Sequence, residues 1–276
     1  MPRLASTRTF GPGKLAPVED PRYQAYVEQL LRTPSGFEVG ADPSTHPYGR
    51  AVNDGGPDRP GRSNNCLDCS LAALSSFYGQ PEISAPRWPD RLPDGSIDSG
   101  TGEADGIERA TRWLGGSWYG PPATMPVDPV GRSAAVAGHY RWLHEEIAKA
   151  GPGASALVVA EWVAYDPRTG QPLTDQSGAV QASGAHAFVV VYPRGAQGPV
   201  WWDPQHGVTW TTPPPEYVAE THTLWWLRGE GIARIDPATW RVSGHGVSPT
   251  QSEGASDGAG TGTHRGTGPG VDHSAG

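Results

Sequence analysis

The segment Gly151-Pro152-Gly153 divides the chain into two parts with different hydrophobic patterns. Before it, apolar residues recur at steps of three and four, as on one face of a helix. After it, short runs rich in Val, Trp and Thr stand between turn residues, as in strands. Helices that precede strands along the chain favour an α+β fold over a doubly wound parallel sheet. With 38 Gly and 29 Pro among 276 residues, long loops must surround the core.

Amphipathic periodicity predicts four helices in the first part. Asp20-Pro21 supplies a cap and a first-turn proline for the first helix, and Gly79 ends the second. The second helix places Cys66 in its first turn. Ser133 is expected to cap the fourth. The predicted helices cover residues 21–32, 66–78, 103–114 and 133–147.

Turn-bounded runs predict a sheet in the second part, with strands at residues 156–164, 185–192, 200–203, 208–211 and 223–227. Residues 1–20 and 241–276 are aperiodic, and the second segment is rich in Gly, Ser and Thr. The sequence therefore predicts a disordered leader over 1–20, one catalytic domain over 21–240 and a disordered tail over 241–276.

The formal charge of −8 argues against nucleic-acid binding, which depends on clustered cations. No apolar run reaches the length of a membrane span, and residues 1–20 contain no signal-peptide core. We expect a soluble protein that makes no membrane contact. If it is secreted or delivered into a target cell, we expect this to happen without a cleavable signal peptide.

Three residues have the side chains of a thiol-dependent enzyme: Cys66, His186 and Asp203. A thiolate is the reactive form of cysteine, and a helix N-terminus or an imidazolium favours it. If residues 193–198 close a hairpin, symmetric pairing sets His186 opposite Gln205 and Asp203 opposite Phe188. The carboxylate then lies diagonal to the imidazole, within reach of it. This arrangement predicts a nucleophile, a base and a group that orients the base.

An enzyme of this kind also needs a donor for the oxygen that becomes negative in the transition state. The candidates are the side chains of Asn64 and Asn65 and the backbone N–H of Cys66.

Other interpretations of the same residues stay open. Cysteine is often a buried core residue, which is an alternative for Cys66 and the favoured interpretation of Cys69. The Cys-Leu-Asp-Cys spacing also fits a redox dithiol or half of a zinc site, but no second ligand pair accompanies it, so no metal is predicted. His139, His144 and His206 compete with His186 for the role of base.

Around these residues the chain resembles the papain-fold glutamine deamidase domains of bacterial polymorphic toxins. The matching segments are residues 62–72, 184–190 and 202–207, within about residues 60–212. The resemblance implies a papain-like cysteine hydrolase fold and a triad of Cys66, His186 and Asp203, with Gln205 as a further site residue.

The implied reaction is hydrolysis of a glutamine carboxamide in a target protein by a toxin or effector, without a cofactor. An immunity protein is implied as a second partner.

Two other functions are considered. A cysteine protease or a transglutaminase-like acyltransferase would use the same triad, although the Cys-Gly-Ser-Cys-Trp signature of papain-type proteases is absent around Cys66. A catalytically inactive binding module would use the acidic surface and the long loops instead.

Overall fold

The computed structural model describes residues 2–121, 126, 128–229 and 233–244. The helices of this part are α1 (Pro21–Leu30), α2 (Cys66–Phe77), α3 (Gly106–Leu114), α4 (Pro129–Ala150) and α5 (Pro215–Glu220). The strands are β1 (Arg32–Thr33), β2 (Gly36–Phe37), β3 (Ser155–Val163), β4 (Ala182–Val191), β5 (Val200–Asp203), β6 (Val208–Trp210), β7 (Thr221–Arg228), β8 (Ala233–Asp236) and β9 (Arg241–Gly244). The predicted α+β class is confirmed. Helices α1 to α4 precede the five strands β3 to β7, as predicted, whereas α5 lies between β6 and β7.

A five-stranded antiparallel sheet with the order β6-β5-β4-β3-β7 forms the centre of the molecule. Its two longest strands, β3 and β4, are mostly apolar, and in each of them one end is buried and the other is more exposed. The last six residues of β4 are buried, whereas its first four are exposed. Residues 192–199 connect β4 to β5 as the predicted hairpin.

Both faces of this sheet are covered, which explains why its strands are apolar on both sides. Alternate residues of β4 show the two faces. Val189 packs in the cluster that contains α2 and α3, and Phe188 packs in the cluster that contains α4. Helix α2 is buried along almost its whole length because it lies between the sheet and the N-terminal part of the chain.

Helix α4 begins four residues earlier than predicted. Asp128, and not Ser133, is its N-cap, and the Asp128 carboxylate accepts a hydrogen bond of 2.7 Å from the Gly131 N–H. Pro129 takes the first helical position, where its missing N–H costs nothing. An aspartate followed by a proline was therefore the stronger start signal. A cap of this kind stabilises a helix by about 1 kcal/mol.

Residues 2–20 are not the predicted disordered leader. Leu4 and Leu15 are fully buried, and Leu4 lies in the same cluster as α2. The Arg8 guanidinium forms ion pairs of 2.8 Å with Asp68 and with Glu82. Isolated anchors of this kind have no period along the sequence, which is why the pattern of apolar residues did not indicate them.

The predicted domain boundary at residue 240 also changes. Strand β9 pairs with β8, so residues 241–244 belong to a hairpin and not to a tail. The rest of the predicted tail, residues 245–276, lies outside the described residues. In the described part of the chain, no helix has both the length and the apolar character needed to cross a bilayer.

Candidate active site

Cys66 is the first residue of α2, directly after the N-cap residue Asn65. The thiol is therefore at the end of the helix that carries partial positive charge, a position that favours anions. Cys66 is partly exposed, whereas Cys69, one turn later, is completely buried. Burial raises the pKa of the Cys69 thiol well above its usual range, which fits a structural residue. Of the two thiols, only Cys66 is accessible from solvent.

The hairpin of β4 and β5 brings His186 to Asp203 in the register that the sequence predicted. Val189 pairs with Trp202, and the same register places Phe188 opposite Asp203. Asp203 is the last residue of β5. Its Oδ2 atom lies 2.7 Å from Nε2 of His186, so the predicted contact between carboxylate and imidazole is present.

The Asp203 carboxylate is buried and accepts hydrogen bonds from five donors. Oδ1 accepts the backbone N–H groups of Gln205 at 2.9 Å and of His206 at 3.2 Å. Oδ2 is shared by His186 Nε2 and His206 Nδ1, both at 2.7 Å, and by the Tyr217 hydroxyl at 2.5 Å. A buried carboxylate with so many donors is held in one orientation and stays ionised.

The charges of His186 and Asp203 stabilise each other. Burial alone would lower the pKa of His186, but the charge and hydrogen bond of Asp203, together with a contribution from the Cys66 thiol, raise it to about 10. Burial alone would raise the pKa of Asp203, but His186 and then His206 hold it well below its usual range. Since Nε2 contacts Asp203, Nδ1 is the imidazole nitrogen that remains for the thiol. The structure thus joins two residues of the predicted triad, His186 and Asp203, by a direct hydrogen bond, and the role of Cys66 as their nucleophile stays a prediction.

The side-chain amides of Asn64 and Asn65 are directed into the protein. Asn65 Nδ2 donates to Asn53 Oδ1, to Ser84 Oγ and to the carbonyl of Ala85, at 3.0 to 3.2 Å. Asn64 Nδ2 donates to the carbonyls of residues 98 and 101. Neither residue is more than 6% exposed. The backbone N–H of Cys66 is the remaining candidate for an oxyanion donor, because the first N–H groups of a helix have no acceptor within it.

Gln205 is also turned inward and is only 2% exposed. Its Nε2 atom donates to Asn65 Oδ1 at 3.1 Å and to the Arg62 carbonyl at 3.2 Å. Asn53 adds a further link, because its Nδ2 donates to the backbone carbonyls of Arg62 and Gln205. These bonds join the turn after β5 to the loop that leads into α2. They favour a supporting role for Gln205 over contact with a substrate.

The three competing histidines lie in different environments. His144 Nδ1 is 3.1 Å from the indole nitrogen of Trp201. Burial lowers the pKa of His139, and its Nδ1 has no hydrogen-bond partner among the described residues. His206 is the exception, because it shares Asp203 with His186.

Tyr217 and Trp162 were missed by the sequence analysis. Trp162 stacks on the His186 ring with a centroid distance of 6.1 Å. Tyr217 lies on the six-residue helix α5, which was not predicted. The proline at the first position of α5 was the one available signal, and it indicates a helix start without indicating a site.

His186, Asp203 and His206 are the described residues whose side chains could hold a metal ion, with ligand atoms within 4.8 Å of one another. In the structure, Nε2 of His186 and Nδ1 of His206 are both hydrogen-bonded to the Asp203 carboxylate, which a metal ion would need as a ligand. A cation at this position would therefore compete with the contact between His186 and Asp203.

Comparison with known proteins gives one structural neighbour and one family. The structure search matches a variant of the Salmonella effector SpvD, with 11% sequence identity, a TM-score of 0.35, and coverage of 75% of this chain and 90% of that chain. No curated protein matches the sequence. Residues 64–208, which contain Cys66, His186 and Asp203, match the model of the family described as papain fold toxin 1, glutamine deamidase. The chain thus belongs to this family of papain-fold toxins, as its three short motifs predicted.

Proposed function

We propose that this protein is a toxin or effector that deamidates a glutamine side chain of a target protein through Cys66, His186 and Asp203. The observation that carries the proposal is the buried hydrogen bond between His186 and Asp203, taken together with the partly exposed cysteine, Cys66, at the N-terminus of α2. The family to which residues 64–208 belong supports glutamine as the substrate.

The reaction begins when the Cys66 thiolate attacks the carbonyl carbon of the glutamine side chain. The carbonyl oxygen becomes negative in the tetrahedral intermediate, where the backbone N–H of Cys66 can stabilise it. The His186 imidazolium then gives its proton to the amide nitrogen, which leaves as ammonia, and a thioester remains on the sulfur.

Hydrolysis of the thioester regenerates the enzyme. The imidazole, now neutral, takes a proton from a water molecule, and the resulting hydroxide attacks the thioester carbonyl. The second tetrahedral intermediate expels the Cys66 thiolate and releases the glutamate side chain. Asp203 keeps the imidazole oriented through both halves and stabilises its charged form. The product has one more negative charge than the substrate, enough to alter a regulatory protein.

The same triad would serve peptide cleavage or acyl transfer to an amine, so the test must separate the products. Proteins of a candidate target cell are incubated with the enzyme and analysed by mass spectrometry, while ammonia is measured in parallel. Deamidation predicts ammonia and an amide-to-acid mass shift at glutamine. New chain termini would indicate a protease, and amine adducts would indicate an acyltransferase.

Matched cysteine variants make this test specific. Cys66→Ala should abolish the products, whereas Cys69→Ala should keep them, because Cys69 is buried and away from solvent. His186→Gln should lower the rate by roughly 10²–10⁴-fold. Full activity of Cys66→Ala would exclude the thiol mechanism, and the absence of any product from the wild type would favour a binding module.

The proposed partners follow from the same assignment. They are the target protein that carries the glutamine and an immunity protein that would protect the producing cell. Delivery into the target cell is part of the proposal.

A further inference from the structure

Tyr217 lies in α5, outside the residues that match the family, yet it contacts the centre of the candidate site. Its hydroxyl donates a hydrogen bond of 2.5 Å to Asp203 Oδ2. Its ring and the His186 imidazole make a T-shaped contact, with a centroid distance of 5.6 Å and an interplanar angle of 85°. One side chain therefore touches both the orienting carboxylate and the imidazole that it orients.

Aromatic neighbours fix the direction of this hydroxyl. The Tyr217 ring packs against Trp162, Phe188 and Trp210, with centroid distances of 5.3 to 5.5 Å. These residues come from β3, β4 and β6, three strands of the same sheet. A ring that is held from several sides loses little further freedom when its hydroxyl binds a carboxylate, so the hydrogen bond is preorganised.

Asp203 has a specific need for such a donor. Its Oδ2 atom is shared by two imidazoles at equal distance, and the side chain of His206 is 45% exposed. An exposed histidine exchanges its contacts with water, so its hold on the carboxylate is less constant than that of a buried group. The two backbone N–H groups hold only Oδ1, so without Tyr217 the Oδ2 atom would be bound by the two imidazoles alone.

We propose that Tyr217 is a positioning residue, which holds the Asp203 carboxylate in the orientation that serves His186. The proposal rests on the proposed function, because it concerns the same thiol and imidazole. Tyr217 acts through Asp203 and does not touch the reacting atoms.

The loss of the hydroxyl has a predictable electrostatic consequence. The titratable groups that face His186 and Asp203 are Cys66 from α2, His206 from the turn after β5 and Tyr217 from α5. Without the Tyr217 hydroxyl, less of the carboxylate charge is shared, and more of it acts on the imidazolium. The imidazolium should therefore persist to higher pH, while its orientation becomes less well defined.

The test compares Tyr217→Phe with Tyr119→Phe, which removes the hydroxyl of a tyrosine stacked on Trp226 in another part of the sheet. The rate of Cys66 alkylation by iodoacetamide is measured against pH, with Cys66→Ala as the background. This assay needs no substrate, and the buried Cys69 does not interfere. The thiolate still reacts after the imidazolium loses its proton, but at a different rate, so the profile has an alkaline inflection at that step. We expect this inflection to move to higher pH in Tyr217→Phe only.

Steady-state kinetics give a second measurement. Tyr217→Phe should lower kcat for deamidation by roughly tenfold with little change in KM, because the substrate is bound but the imidazole is less well aligned. Wild-type values of kcat and an unchanged alkylation profile would overturn the proposal. A wild type that releases no ammonia, together with a shifted alkylation profile in Tyr217→Phe, would contradict the proposed function and support the positioning role.

A loss of activity in Tyr217→Phe tests the proposal only if the variant is folded. Circular dichroism and thermal unfolding establish whether Tyr217→Phe is native. If it is not, NMR of the wild type replaces it: a Tyr217 hydroxyl proton that is shifted downfield and protected from exchange supports the hydrogen bond. A hydroxyl proton in rapid exchange with water would overturn the proposal.

Discussion

Gln205 and Asn65 are 140 residues apart in the sequence, yet their side chains are joined by a hydrogen bond of 3.1 Å. Asn65 directly precedes Cys66, and Gln205 follows Asp203 by two residues. The bond therefore ties the element that carries the thiol to the turn after the strand that carries the carboxylate. The position of Cys66 relative to Asp203 depends on this buried contact.

Gln205→Glu should weaken this connection. A carboxylate has no N–H to donate to Asn65 Oδ1 or to the Arg62 carbonyl, so both buried acceptors lose a partner. We expect the free energy of unfolding to fall by about 1–3 kcal/mol. Urea denaturation measures it, and the activity should fall as well because the thiol and the imidazole lose their alignment.

Gln171→Glu is the matched control, since it makes the same chemical change at an exposed position. Surface changes of this kind alter stability by less than about 0.5 kcal/mol. Equal urea midpoints for the two variants would show that the link between Gln205 and Asn65 contributes nothing to the fold.

The pair of His186 and Asp203 should make stability depend on pH in the alkaline range. The pKa of His186 is raised from its usual 6.5 to about 10, so the folded protein binds this proton more tightly than the unfolded chain does. The resulting stabilisation is complete below pH 6.5 and is lost as the pH rises through about 10. The measurement is urea unfolding of the wild type and of His186→Gln at several pH values across this range.

We expect the stability difference between the two proteins to decrease steadily over that range. Groups that titrate in both proteins cancel in the difference. A difference that stays constant between pH 6.5 and 10 would mean that His186 is not held in its charged form by Asp203.

The contact between His186 and Asp203 could be predicted because two simple rules determine it. The apolar runs of β4 and β5 and the short connection between them fix the pairing register, and the register fixes which side chains are diagonal neighbours. Cys66 could be placed because the apolar period from Leu67 onward and the stop at Gly79 together define the extent of α2. These are local signals, and the structure preserves them.

The contacts of Tyr217 and Arg8 could not be predicted. Tyr217 lies on a helix too short to show a period, and its partner Asp203 is 14 residues away around a turn and a further strand. Arg8 and its partner Asp68 are 60 residues apart, and Arg8 lies in a segment whose apolar residues have no regular spacing. Such contacts depend on how helices, strands and loops pack in the tertiary structure, which no local sequence pattern indicates.

Arg8 provides the last prediction, which tests whether residues 2–20 belong to the folded domain. The Asp68 carboxylate in α2 is completely buried between Arg8 and Arg109, at 2.8 and 3.0 Å. Arg8→Met removes one of its two cationic partners. Removal of one partner from a buried pair costs roughly 3–5 kcal/mol, and we expect the lower end because Arg109 remains.

Arg22→Met is the control. Arg22 also forms an ion pair, with Asp20, but its side chain is 89% exposed. Exposed pairs contribute little, so its urea midpoint should stay close to that of the wild type. Deletion of residues 1–20 should destabilise the domain more than Arg8→Met does, since it also removes the buried Leu4 and Leu15. Because Asp68 is in the first turn of α2, two residues after Cys66, both changes should also slow alkylation of the thiol. A deletion variant as stable as the wild type would show that residues 1–20 do not contribute to the folded domain.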